Sequence, residues 1–161
     1  MGSAIKKFEE IKLQAEDFYK KIGSIFCPYL KKNVNFNAKG LDHIKMKEWN
    51  KARLVADQYM RLKLLRLAPL VLQSSHTVQE IKETKNFERQ KINSRWDKRL
   101  ISVRYYGFVA IINKARIKII VKEIEGALPQ FWSIVPFWKQ NKNPLTGEIK
   151  KIFCEGDLEN Q

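Results

Sequence analysis

Histidine, the side chain that changes charge near neutral pH, occurs twice in these 161 residues, as His43 and His76. Cutting a phosphodiester beside a 2′-hydroxyl needs little more than such a group. A base takes the hydroxyl proton, a cation steadies the crowded phosphate, and an acid protonates the leaving oxygen. His43 lies in AKGLDHIKMK, with Lys39, Lys45 and Lys47 beside it. It reads either as an acid–base group or as a surface or helix-capping histidine. His76 follows Ser75 and precedes Thr77, and reads as a loop histidine. Ser133, in QFWSIVPFW, shares its parity with Phe131 and Val135. It reads either as a serine at the edge of the core or as a hydroxyl that binds phosphate.

Other chemistries lack their residues. There is no G-x-S-x-G elbow, no G-x-G-x-x-G and no G-x-x-x-x-G-K-[ST]. Cys27 and Cys154 are far apart, with no C-x-x-C and no neighbouring histidine, so no metal site and no cofactor is expected. A pair of reduced thiols is the simpler reading than a bridge between the two ends. No apolar run has membrane-spanning length and no secretory signal is evident, so a cytoplasmic protein without a membrane partner is expected.

The charge points to a polyanion. Lys and Arg number 31 against 17 acids, a formal net charge of +14. The excess sits in the middle: residues 31–100 hold 17 bases and seven acids, whereas residues 1–30 hold five and four. Such a field attracts phosphate backbones and makes binding salt-sensitive. An anionic membrane or an acidic partner protein would answer the same charge; RNA is the expected partner, and a basic nucleic-acid-binding module without catalysis is the rival reading.

The elements that must hold these groups read as α+β: N-terminal helices packed on a C-terminal antiparallel β-meander, in one domain over residues 1–161. Residues 4–30 hold a first helix, with apolar residues at helical spacing from Ile5 to Ile22 and Gly23 as its stop. Residues 31–98 form a basic, mainly helical region. It begins with a short strand through Val34 and Phe36 and a short helix on the Leu41–Ile44 pair, which leaves His43 pointing away from that pair. A long helix over residues 50–73 follows, kinked or ended by Pro69. Thr77 and Glu80 have capping-box spacing for another helix to about Lys85. Residues 86–99, with Arg89, Lys91, Arg95, Lys98 and Arg99, form either a helix end or an extended arm.

Residues 99–138 hold three β-branched and aromatic runs, broken at Asn113-Lys114 and at Gly126 to Pro129. In the middle run Ile117, Ile119 and Val121 alternate with Arg116, Lys118, Ile120 and Lys122. One face is apolar and the other carries three cations. With Tyr105, Tyr106, Trp132 and Trp138 nearby to stack on bases, that face reads as a platform for RNA, or else as a solvated outer face with core aromatics. The tail at 139–161 has turn signals at Asn143-Pro144 and Thr146-Gly147 and reads as a small hairpin.

Two of these segments, NFNAKGLDHIKMKEWN at 35–50 and QFWSIVPFW at 130–138, resemble the barnase–EndoU–colicin–RelE-like (BECR) nuclease superfamily, in its phage-borne and bacterial toxin-type members. The resemblance rests on His43-Ile44 in an early helix and on Trp132-Ser133-Ile134-Val135-Pro136 in the last strand. It implies a metal-independent endoribonuclease restrained by an antitoxin or immunity protein. By that likeness His43 is the general base or acid. Lys45, Arg104 and Lys118 are phosphate contacts, and Ser133 binds the scissile region. The expected catalytic set is His43, Arg104 and Ser133. The expected RNA contacts are Lys39, Lys45, Arg99, Arg116, Lys118, Lys122, Tyr105 and Trp132.

Overall fold

The computed structural model describes residues 2–48, 51–112, 114–136, 141–142, 149–150 and 158–159. Among them the chain is α+β. Helix α1 (Gly2–Ile22) is followed by β1 (Ser24–Cys27), β2 (Lys32–Asn35) and α2 (Ala38–Lys45). Next come the small strands β3 (Met46–Glu48) and β4 (Lys51–Ala52), then α3 (Val55–Leu64) and, after a 3-10 turn at Leu65–Leu67, α4 (Ala68–Ser74). The long strands β5 (Glu80–Ile92), β6 (Arg95–Ile112), β7 (Ala115–Ile124) and β8 (Gln130–Pro136) follow, and β9 (Asn141–Lys142) pairs with β10 (Ile149–Lys150).

The main sheet has the order β1-β2-β8-β7-β6-β5 among the described residues. Its pairs are antiparallel except β2 with β8, which run parallel and pair only at Asn35 and Gln130. One face carries the larger core. Phe108, Ile119, Phe131 and Ile134 pack there against Tyr19 of α1, Ile44 of α2 and Leu65, Val71 and Leu72 beyond α3. The second face carries a smaller core of Val103, Tyr105, Ile120, Val135 and Leu158, with Trp132 beside it.

Several expectations hold as read. The meander occupies its expected place, Gly23 ends α1 at φ +69, and Leu41 and Ile44 are buried in α2. Two do not hold. The single helix over 50–73 is broken into β4, α3, the 3-10 turn and α4, and Pro69 sits in the first turn of α4, where its missing N–H costs nothing. The helix expected from Thr77 to Lys85 is instead the start of β5. Residues 80–107 form a long antiparallel hairpin closed by Asn93 (φ +47) and Ser94 (φ +66), both left-handed as a type I′ turn requires. Trp138, Cys154 and the turn signals at 143–147 lie outside the described residues. Cys27 is buried, and burial pushes its thiol pKa up.

Beyond Gln130, β8 has β7 on one side and helices on the other. Asn37 caps α2 by accepting from the Gly40 N–H, and Tyr19 donates to the Asn37 carbonyl at 2.6 Å. The helix then lies so close to β8 that a Cβ on Gly40 would overlap the Phe131 carbonyl oxygen, with the Tyr19 hydroxyl 2.7 Å away. Glycine is required there for approach, not for backbone freedom. Gly40→Ala is therefore expected to lower stability by about 1–3 kcal/mol, as overpacked sites do. Urea titration reads this directly, with Gly2→Ala, whose Cβ would meet nothing within 4 Å, as the silent control. Equal midpoints for the two variants would contradict the close approach.

Candidate functional site

The bulge in β8 determines what this edge displays. Ile120 faces Ser133 and Val121 faces Phe131, so Trp132 is the extra residue. Strict alternation is broken, and the expected shared parity of Phe131, Ser133 and Val135 fails. Phe131 packs under the helices, whereas Ser133 lies across from Ile120 on the second face and Trp132 packs beside that same core.

His43 reaches this point from α2. Its ring stacks on Trp132 with centroids 4.3 Å apart and planes 22° from parallel. Arg53 donates from Nε to the His43 carbonyl at 3.0 Å, and its Nη2 lies 3.4 Å from the His43 Nε2. A guanidinium only donates, so Nε2 is the acceptor in that pair and the ring proton sits on Nδ1. From α3, Arg61 donates to Asp57 at 2.8 Å, to the Ser133 hydroxyl at 2.8 Å and to the Ile134 carbonyl at 3.1 Å. Asp57 also lies 3.6 Å from Arg53. The chain His43–Arg53–Asp57–Arg61–Ser133 thus ties α2 and α3 to the bulged strand. Lys122 of β7 stands 4.5 Å from the Trp132 ring centre and pairs with Glu88 at 2.8 Å. Gln130, across from Lys122, is buried, and its Nε2 has no hydrogen-bond partner among the described residues.

This company holds the His43 ring neutral. Burial lowers its pKa first, and the like charges of Arg53, Arg61 and Lys122 lower it further, to about 3. At neutral pH the imidazole is a free base with its lone pair beside a guanidinium.

The expected residues divide into those gathered here and those placed elsewhere. His43, Ser133, Trp132 and Lys122 are gathered, with Tyr105 fully buried 6.2 Å from the Trp132 ring. Arg53 and Arg61 were not expected as site residues. For Arg61 the signal that could have found it is an arginine on the apolar face of a helix; Arg53 lies in the link between β4 and α3, where helical spacing does not apply.

Arg104 is not part of this group. It projects from the helix-covered side of β6, donates to Glu83 and the Tyr106 hydroxyl, and lines a groove with Lys32, Glu83, Glu123 and Glu125, whose acids outnumber its cations. That groove has the wrong sign for a phosphate. Lys45 pairs with Glu16 of α1 at 2.7 Å, and Lys118 is buried against Glu80 at 3.2 Å. Lys39, Arg99 and Arg116 are exposed and stand outside the His43 group, and His76 is an exposed loop residue. The expected open platform on the second face is also corrected: Lys118 and Lys122 are buried and paired. Leu158 packs over Gly107, and the Glu159 backbone carbonyl accepts from the Trp132 indole at 3.0 Å.

Among the described residues no group of three or more His, Cys, Asp or Glu is placed to hold a metal ion, and no helix is long and apolar enough to cross a membrane. No family model, curated protein or solved structure matches this chain.

Two measurements check this geometry. Removing the buried Arg61 guanidinium breaks its hydrogen bonds to Asp57, the Ser133 hydroxyl and the Ile134 carbonyl, so Arg61→Met is expected to cost about 3 kcal/mol in urea unfolding. A loss below about 0.5 kcal/mol, typical of a solvated surface site, would contradict it. The second concerns pH. Between pH 6.5 and 3 the unfolded chain binds a proton at His43 that the folded chain refuses, so this group makes stability fall as pH falls through that window. His43→Gln should flatten the stability–pH slope between pH 6.5 and 5, and an unchanged slope would show that the folded ring titrates normally.

Proposed function

We propose that this chain is a metal-independent endoribonuclease in which the neutral His43 imidazole is the general base and the cations around it hold the scissile phosphate. The observation that supports this most is the 3.4 Å approach of Nε2 to the Arg53 guanidinium: a phosphate that draws this N–H onto itself frees the imidazole lone pair beside it. The base abstracts the 2′-hydroxyl proton. The 2′-oxygen then bonds to phosphorus, the bond to the 5′-oxygen breaks, and the imidazolium returns its proton to that leaving oxygen. The products are a 2′,3′-cyclic phosphate and a 5′-hydroxyl. Arg53 and Lys122 are the candidates to offset the charge that builds on the phosphate, and the unpartnered Gln130 Nε2 is a further donor beside Lys122.

The low pKa of the free ring does not oppose this role. Burial is the larger cause of that low pKa and the cations Arg53, Arg61 and Lys122 the smaller; a phosphate brought among them offsets the second part, so substrate raises the basicity of the group that acts on it. Trp132 holds the ring plane, and Arg61 positions Ser133. An antitoxin or immunity partner belongs to this proposal as the means of keeping such an activity in check.

A second reading, a basic nucleic-acid-binding module without catalysis, is favoured by the pairing of Lys118 with Glu80 and Lys122 with Glu88, which leaves the second face less open than an active site needs. One experiment separates the two. Total RNA incubated with the purified protein in EDTA should be cut, and His43→Gln should slow the cutting at least 100-fold, the scale of general acid–base catalysis. RNA that is bound but stays intact under these conditions selects the second reading.

A further inference from the structure

β7 accompanies β6 only as far as the Val103–Ile124 pair, so from Lys85–Ser102 to Ile92–Arg95 the β5–β6 hairpin is a two-stranded ribbon. Its two faces differ. The inner face leans on the body of the protein: Asn86 donates to Glu159, Glu88 pairs with Lys122, and Gln90 donates to the Glu125 carbonyl at 3.4 Å. The outer face carries Lys85, Phe87, Arg89 and Lys91 from β5, opposite Ser102, Leu100, Lys98 and Trp96 from β6.

That outer face holds four cations and no acid. Its apolar residues are exposed to an unusual degree: Phe87 by 71%, Trp96 by 61% and Leu100 by 56%. Among the described residues no carboxylate pairs with Lys85, Arg89, Lys91 or Lys98, whereas the inner face holds Glu88 and Asp97. The Arg89 guanidinium lies 5.7 Å from the Trp96 ring centre. Successive residues on one face of a strand repeat about every 6.6 Å. Cations and ring faces therefore alternate along the ribbon.

We infer that this ribbon face is a docking surface for single-stranded RNA, with Lys85, Arg89, Lys91 and Lys98 on the phosphates and Phe87 and Trp96 stacked on unpaired bases. Charge selects the occupant. A second copy of the chain would bring four cations against four cations. An anionic membrane would take the cations but needs the apolar side chains to enter it together, and here they are interleaved with charge. Single-stranded RNA offers both a polyanion and a π-face at each base, which is the pairing that unspecific single-strand binders use. The inference shares with the proposed function only the choice of RNA and does not need the chain to cut it.

The test is fluorescence anisotropy with a labelled 12-nucleotide 2′-O-methyl RNA, which the wild-type protein cannot cleave by 2′-hydroxyl attack. Arg89→Gln with Lys98→Gln should reduce the log–log salt slope by about 1.4, at about 0.7 per phosphate on a single strand. Phe87→Ala with Trp96→Ala should weaken binding at fixed salt by about tenfold or more, the scale of base–aromatic stacking, and leave the slope alone. All four side chains are exposed, and an unchanged thermal midpoint confirms that each variant folds. Wild-type affinity and slope in both double variants overturn the inference, whether or not the chain cuts RNA. So does binding to vesicles of phosphatidylserine and phosphatidylcholine that the same substitutions abolish while RNA affinity stays put. Loss of cleavage in His43→Gln with arm-dependent RNA binding intact supports the ribbon independently of the nuclease reading. If wild type leaves cleavable RNA intact, arm-dependent binding upholds the ribbon while the nuclease reading fails.

Discussion

The guanidinium of Arg61 is the constraint on which the rest of this structure hangs. It is 2% exposed, and it meets Asp57 on its own helix, the Ser133 hydroxyl and the Ile134 carbonyl. A strand with an open edge must find donors and acceptors for its outward backbone groups. Here a helix side chain supplies a donor. The same side chain fixes α3 against β8, and α2 packs tightly enough on that strand to need glycine at position 40. His43 then has one place to go, over the edge and onto Trp132.

A cost comes with this arrangement. Arg53, Arg61, Lys118 and Lys122 are all buried, and like charges in a poorly solvated region repel. The fold offsets this with carboxylates: Asp57 from the same helix as Arg61, and Glu80 and Glu88 from the long strand β5. His43 is the group that yields, because it alone in the cluster can give up its charge readily near neutral pH. Neutrality of the ring thus follows first from its burial and then from the cations packed around it.

How much of this was legible in the sequence follows from what buries what. The meander could be read because β7 and β8 are covered on at least one face, so their apolar residues alternate or run together. Strand β5 could not. KETKNFERQK carries polar residues on both faces, and it is a strand because β6 pairs with it along thirteen successive positions, a long-range cause that local pattern does not carry. The apolar face of residues 50–73 was real, but Pro69 and the 3-10 turn at Leu65–Leu67 split it. For the site, His43 and Ser133 were found by residue type. Arg104 was misplaced because parity on β6 says which face a residue takes but not which face the histidine will choose. Trp132 and Ser133 came to the same side only through a bulge, which alternation cannot foresee. Arg53 and Arg61 looked like solvated helix charges, although their neighbours were leucines.

The chemistry of the cut ends tests the central claim most directly. RNA fragments released by the purified chain should carry 5′-hydroxyls and 2′,3′-cyclic phosphates, or the 3′-phosphates to which the cyclic ends hydrolyse, because attack by the neighbouring 2′-oxygen leaves the phosphorus on the 3′ side. Fragments ending in 5′-phosphates would mean that water, not the 2′-hydroxyl, is the nucleophile, and would contradict a mechanism built on the His43 imidazole as its base.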